Sequence, residues 1–202
     1  MKNNKRNIEL LFEIEAFRNL DRVWKHFYNP DVANNAEHSF NVAWIALTLA
    51  KMEGVSNHEK ILKMALLHDI PESRCGDVHY LSRQYVIRKE DEAIKDIFAG
   101  TVHEDEIWSL WREFEDRKTL EAKIVKDADN LDVELELRDQ EFRGHMMAKT
   151  LRGPRNKVLY PKLFTKSAKA IWKDVQKANP HDWHDKSPKN RFRGGDLKTK
   201  KK

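Results

Sequence analysis

Four side chains of metal-ligand type stand far apart in this chain: His38, the adjacent pair His68 and Asp69, and Asp129 within Lys126-Asp127-Ala128-Asp129-Asn130-Leu131. Two neutral imidazoles and two carboxylates make a mixed nitrogen and oxygen set suited to one divalent transition ion (Mn, Co, Ni, Fe or Zn), and four groups leave coordination positions open for water. Such a centre does hydrolytic chemistry. Nearby carboxylates extend it: Glu72 lies three residues after Asp69, and Asp77 follows Gly76. A carboxyl there can orient or deprotonate an acidified water, or protonate a leaving alkoxide.

The elements that must bring these residues together read as helices. Glycine and proline are scarce before the basic end, and no proline occurs between Pro71 and Pro154. Leu10, Ile14, Phe17 and Trp24 follow helical spacing, so residues 6–27 are expected to form a first helix up to Asn29-Pro30. Asn34 stands three before Glu37 and opens a second helix, apolar from Phe40 to Met52 and stopped by Gly54, which should be central. His38 shares its stripe with Val42, Ile45 and Leu49. Ser56-Asn57-His58-Glu59 has capping-box spacing and opens a third helix that ends near His68. That ending matters, because consecutive helical residues point about 100° apart and converge on one ion most easily where the helix stops. Pro71 supplies the stop and can begin a new short helix.

The late aspartate is chosen by its neighbours on a helix expected from about Thr119 to Leu137, with a core stripe of Ile124, Ala128, Leu131 and Leu135. Asp129 has Val125 and Val133 one turn away on either side, whereas Asp127 and Asp132 each have a polar neighbour. A carboxylate held at the core edge must be paired or bound to metal, because burying it alone is costly. Asp127 and Asp132 are expected to be solvated.

With 202 residues and 40% apolar side chains, the chain is long enough for one domain with a real core. No run is apolar enough to span a membrane, and the first twenty residues are too charged for a secretory signal, so cytoplasmic residence is expected. The single Cys75 fits a reducing compartment. The net charge of +5 is concentrated at the end: residues 186–202 carry +7, so the body is nearly neutral and no nucleic-acid role is expected. His181-Asp182-Trp183-His184-Asp185 lies between Asn179-Pro180 and Ser187-Pro188, in a segment read as extended rather than as a second metal site. Trp108, Trp111 and Phe114 are read as packing.

The order Ala36-Glu37-His38-Ser39, Leu67-His68-Asp69-Ile70-Pro71-Glu72, Gly76-Asp77 and Val125-Lys126-Asp127-Ala128-Asp129 resembles the HD-domain metal-dependent phosphohydrolases, closest to their 5′-deoxynucleotidase branch. The resemblance covers roughly residues 8–175. It implies an all-α helical bundle over residues 1–180 followed by a disordered or extended basic tail over 181–202, with His38, His68, Asp69 and Asp129 holding the ion. It further implies that Glu72 and Asp77 are the catalytic carboxylates and that Arg22 and Trp24 form an arginine-tryptophan element contacting the nucleotide. A proline often found beside that arginine is missing, Asp21 stands there instead, and Arg18 is a rival for the phosphate. An Arg fork suits a phosphate monoester and an indole face suits a sugar or base, although Trp24 also fits as a core residue. The expected partners are a nucleotide substrate and a second copy of the chain. The expected reaction is hydrolysis of deoxynucleoside 5′-monophosphates. Two other readings stand beside it: hydrolysis of another phosphoester, such as a nucleoside triphosphate or phosphorylated metabolite, or a non-catalytic metal-containing binding protein.

Overall fold

A computed structural model describes residues 4–190 and 192. Among these the chain is helical throughout, with no strand. Helix α1 spans Asn4–Ala16, α2 Trp24–Phe27, α3 Asn35–Met52, α4 His58–Leu67 and α5 Glu72–Cys75. Then come α6 (Glu90–Phe98), α7 (Glu104–Asp116), α8 (Leu120–Phe142), α9 (Met146–Val158), α10 (Lys166–Val175) and α11 (Asp182–Asp185). No described helix is long and apolar enough to cross a membrane.

The bundle is organised around α3 and α8, which pack on each other and both pack on α4, with α9 and α10 closing the far side of α8. Helix α3 starts where its sequence dictates. Asn34 accepts the Glu37 amide and the Glu37 carboxylate accepts the Asn34 amide, each at 3.0 Å, a complete capping box. One face of α3, including Val42, Ala46 and Leu49, has no exposure, and these side chains meet Ile61 and Met64 of α4 and Ile124, Ala128 and Leu131 of α8 in one core. The small residues Ala43, Ala46 and Ala50 let the neighbouring helices approach closely. The opposite face leaves Phe40 and Trp44 more than half exposed, so α3 is central but not buried all round.

Three local expectations are corrected. The first helix does not run to residue 27: α1 ends at Ala16, Phe17–Asn19 form a tighter turn, and Leu20 is extended (φ −83°, ψ 109°). Two outside hydrogen bonds hold this break open, from the Asn35 amide to the Leu20 carbonyl (3.3 Å) and from the Val23 amide to Asp77 Oδ2 (2.9 Å). The cap of α4 is Asn57 rather than Ser56, its side chain accepting from the Lys60 amide. Leu135 is 41% exposed and leaves the α8 core stripe, while Asp127 and Asp132 are buried in it.

Of the segment expected to be extended, residues 182–185 form the single turn α11, with Trp183 exposed. The aromatic set on α7 packs as expected, with Trp111 and Phe114 buried. Residues 191 and 193–202, which hold most of the basic run, lie outside the described residues.

Candidate metal and phosphoester site

His38 stands in the second turn of α3 and His68 caps the end of α4, so two different helices aim imidazoles at one point. Their Nε2 atoms lie 3.3 Å apart. Asp69 Oδ2 is 3.4 Å from His38 Nε2 and 3.2 Å from His68 Nε2, and Asp129 Oδ1, from α8, is 3.3 Å from His38 Nε2. Ligand atoms bound about 2.0–2.2 Å from one ion stand roughly 3.0–3.5 Å from each other, so these separations match a shared divalent cation. His38, His68 and Asp69 form a tight triad, with Asp129 adjoining through His38.

The tautomers fit as well. His38 Nδ1 donates to Asp132 Oδ2 at 2.6 Å, and His68 Nδ1 donates to the Ala65 carbonyl at 2.7 Å. Whenever a ring is neutral, this bond keeps its hydrogen on Nδ1 and leaves the Nε2 lone pair facing the centre. The end of α4 makes the His68-Asp69 pair usable, because residues 68–71 leave regular helix before α5 begins.

Electrostatics follow from crowding charges in a buried space. Burial and the nearby Arg22 charge oppose protonation of His38, yet hydrogen bonds to Asp129 and Asp132 and the charge of Asp69 raise its pKa to about 9. Burial also works against the Asp69 carboxylate, but the two histidines hold it well below the usual range. Asp129 is likewise held low against its burial by Lys126 (2.6 Å) and the histidines.

The remaining candidates separate into those that reach this centre and those that do not. Glu72 is the first residue of α5, 7% exposed, with Oε2 accepting from Asn35 Nδ2 at 2.7 Å and Oε1 3.4 Å from Arg88 Nη1. Burial, then the charges of Asp69 and Asp77, push its carboxyl up to about 9, although Asn35 and Arg88 pull the other way. Asp77 follows Gly76, whose φ of +72° makes the turn, and it anchors the Val23 amide between Arg22 and Trp24. Arg22 is buried, its Nη1 3.7 Å from Asp132 Oδ2 and without a hydrogen-bond partner among the described residues. Trp24 is half-buried, edge-on to the Tyr28 ring in the cluster that holds Val32 and Leu137, and so serves packing whatever else it does. Arg18 is exposed and paired with Glu15 at 2.6 Å. The His181 and His184 rings meet at 3.3 Å on the surface, and no third metal-ligating group joins them among the described residues.

Two residues of the site escaped the sequence reading. Asp132 was expected in solvent but is 3% exposed and orients His38; its signal is the helical spacing of three from Asp129. Asn35, likewise three before His38, has no exposure. Asp127 was also expected in solvent. It is fully buried because it takes hydrogen bonds from the Phe164 amide and from both the amide and hydroxyl of Thr165, where α10 begins.

Comparison with known proteins accords with this geometry. The 5′-deoxynucleotidase HDDC2 of Dictyostelium discoideum is 33% identical over 129 residues, covering 58% of this chain and 67% of that protein. The zebrafish (Danio rerio) protein of the same name is 27% identical over 147 residues, 70% and 71% of the two chains. A conserved hypothetical protein from Pyrococcus furiosus superposes with a TM-score of 0.69 at 26% identity, covering 85% of this chain and 99% of that one. The HD domain family model matches residues 14–163. Together with the converging histidines and aspartates, that match over most of its length shows that the chain belongs to the HD domain family.

Proposed function

We propose that this chain is a metal-dependent 5′-deoxynucleotidase, hydrolysing deoxynucleoside 5′-monophosphates to deoxynucleoside and phosphate. The observation that carries the reading is the meeting of imidazole and carboxylate donors at 3.2–3.4 Å with both Nδ1 atoms tied back. Relatives named 5′-deoxynucleotidases support the substrate class. His38, His68, Asp69 and Asp129 would hold one divalent ion (Mn, Co, Ni, Fe or Zn). When bound, the ion supplies the charge that acidifies water and polarises a phosphoryl group.

The protein's own groups do the rest. Arg22, ion-paired with Asp132 at 3.7 Å, offers a buried Nη1 with no hydrogen-bond partner among the described residues, suited to a phosphate oxygen. Trp24 offers an indole edge or face to the sugar or base; Arg18, exposed and paired with Glu15, is the weaker phosphate candidate. Asp77 orients the water with the oxygen left free by Val23. The water oxygen bonds to phosphorus and the bond from phosphorus to O5′ breaks. One water hydrogen stays on phosphate, and Glu72 passes the other to O5′. A carboxyl pushed up to about 9 suits that donation at neutral pH.

The test is phosphate release from a panel of deoxy- and ribonucleoside monophosphates, triphosphates and sugar phosphates with each candidate ion. Release from deoxynucleoside 5′-monophosphates is expected, abolished by Asp69→Ala with helical content intact. A panel that yields phosphate only from triphosphates or sugar phosphates moves the assignment to another phosphoester, and no release at all removes the enzyme.

We infer that the enzyme acts as a homodimer in the cytoplasm. A groove of about 630 Å³ contains none of the ligand candidates and is lined by Ile14, Phe40, Trp44, Leu66 and Ile107. Phe40, Trp44 and Leu66 are each more than half exposed, an apolar face suited to its own copy. The unbridged Cys75 agrees with a reducing compartment.

A further inference from the structure

We propose that Asn35 is a positioning residue that fixes the Glu72 carboxyl beside the metal centre, an inference that rests on the catalytic role given to Glu72 above. Asn35 is the first residue of α3, one turn ahead of His38, and has no exposure. Its backbone is clamped on both sides, the amide donating to Leu20 and the carbonyl accepting from Ser39 Oγ at 2.9 Å. Its side-chain Nδ2 donates to Glu72 Oε2 at 2.7 Å. Arg88 Nη1 approaches the other Glu72 oxygen at 3.4 Å and is itself held by Glu90 at 2.8 Å.

The terminal torsion of a glutamate is otherwise soft, so an unheld carboxyl samples a wide arc. Contacts on both oxygens confine it. The remaining atom of the amide makes the case specific, because Asn35 Oδ1 is buried without a hydrogen-bond partner among the described residues. An unpaired buried oxygen is unfavourable, and an apolar side chain of similar size would fill the space without it. The position therefore keeps an amide for the bond its nitrogen makes. Helix capping does not account for it, since Asn34 and Glu37 already complete the box. One residue ties the proton-handling carboxyl on α5 to the helix that carries His38, so the two groups hold a fixed separation while substrate comes and goes.

The experiment is a double-mutant cycle on the full-length, manganese-loaded protein, with phosphate release from a deoxynucleoside monophosphate as the rate. Asn35→Ala is expected to lower kcat by about tenfold to hundredfold with KM and manganese content unchanged. In a Glu72→Gln background the same substitution is expected to add nothing further. Apart from activity, the Asn35 side-chain amide protons of the metal-free protein should be protected from exchange, and Glu72→Ala should abolish that protection. If Asn35→Ala loses helical content or manganese, Asn35→Ser enters the same cycle. Wild-type kcat in the Asn35 variant, or losses that simply multiply in the double variant, overturns the inference. Wild-type turnover in Glu72→Gln overturns the reading beneath it instead.

Discussion

Asp132 shows how a residue that touches no ion governs one that can. Its carboxylate fixes the hydrogen of His38 on Nδ1, and Arg22 approaches its Oδ2 from the other side. Asp132→Ala is expected to weaken metal binding about tenfold to hundredfold with the fold retained, read by isothermal titration with manganese. The His38 pKa of about 9 gives a second expectation. A histidine whose pKa rises on folding adds stability that is fully present below its unfolded value, about 6.5, and lost as pH climbs through 9. The chelated protein should therefore lose stability between those values in urea unfolding, and His38→Gln should flatten the trend. Manganese affinity should rise over the same span, with a proton released on binding, because proton and cation compete for one nitrogen. At this scale the sequence was legible in the choice of His38, His68, Asp69 and Asp129 as residues that meet at one point. It was not legible for Asp127 and Asp132, because helical periodicity counts a carboxylate as polar while its burial depends on partners from α10 and α3.

Helix α8 carries Asp127, Asp129, Asp132 and Glu134 within eight residues, and they face different neighbours. Only the middle two face His38. Asp127 anchors the start of α10 by three hydrogen bonds, so Asp127→Ala should destabilise the protein by roughly 1–3 kcal/mol in thermal or urea unfolding while leaving manganese affinity intact. Loss of metal affinity instead would assign Asp127 to the centre. Another joint links α1 to α5, where Glu13 receives Arg74 at 2.8 and 2.9 Å and Ser73 at 3.1 Å. The Arg74 hydrogen bond outweighs burial and lowers the Glu13 pKa, so its contribution is present above about 4.5 and fades as pH falls through the lower folded value. Because Arg74 is 38% exposed, Glu13→Gln should cost under about 1 kcal/mol at pH 7, and less at pH 3. Helix positions were readable from caps and apolar spacing, including the capping box of α3 and the Thr119 cap of α8. The interruption after Ala16 was not, since residues 10–24 keep helical periodicity and the bonds that break the helix come from Asn35 and Asp77.

For the molecule as a whole, the apolar face around Phe40 and Trp44 and the basic end make opposite predictions. For the proposed dimer, Trp44→Glu is expected to shift the sedimenting mass to that of a monomer by placing a charge in the middle of an apolar contact; a wild-type mass already monomeric would remove the dimer, and a dimeric mass that survives would move the interface elsewhere. Removal of residues 186–202 should leave phosphate release largely unchanged, because every donor of the centre lies before residue 133. The all-helical class was legible from the scarcity of proline and glycine, but the pairing of α3 with α8 required long-range contacts that no local pattern encodes. The turn bearing Arg22 and Trp24 is tethered at Leu20 to the helix of His38 and at Val23 to Asp77, so it is already set when a ligand arrives. For the nucleotide contact proposed for Arg22 and Trp24, this predicts that little conformational entropy is lost on capture and that selectivity comes from the shape of a preorganised seat rather than from a closing motion.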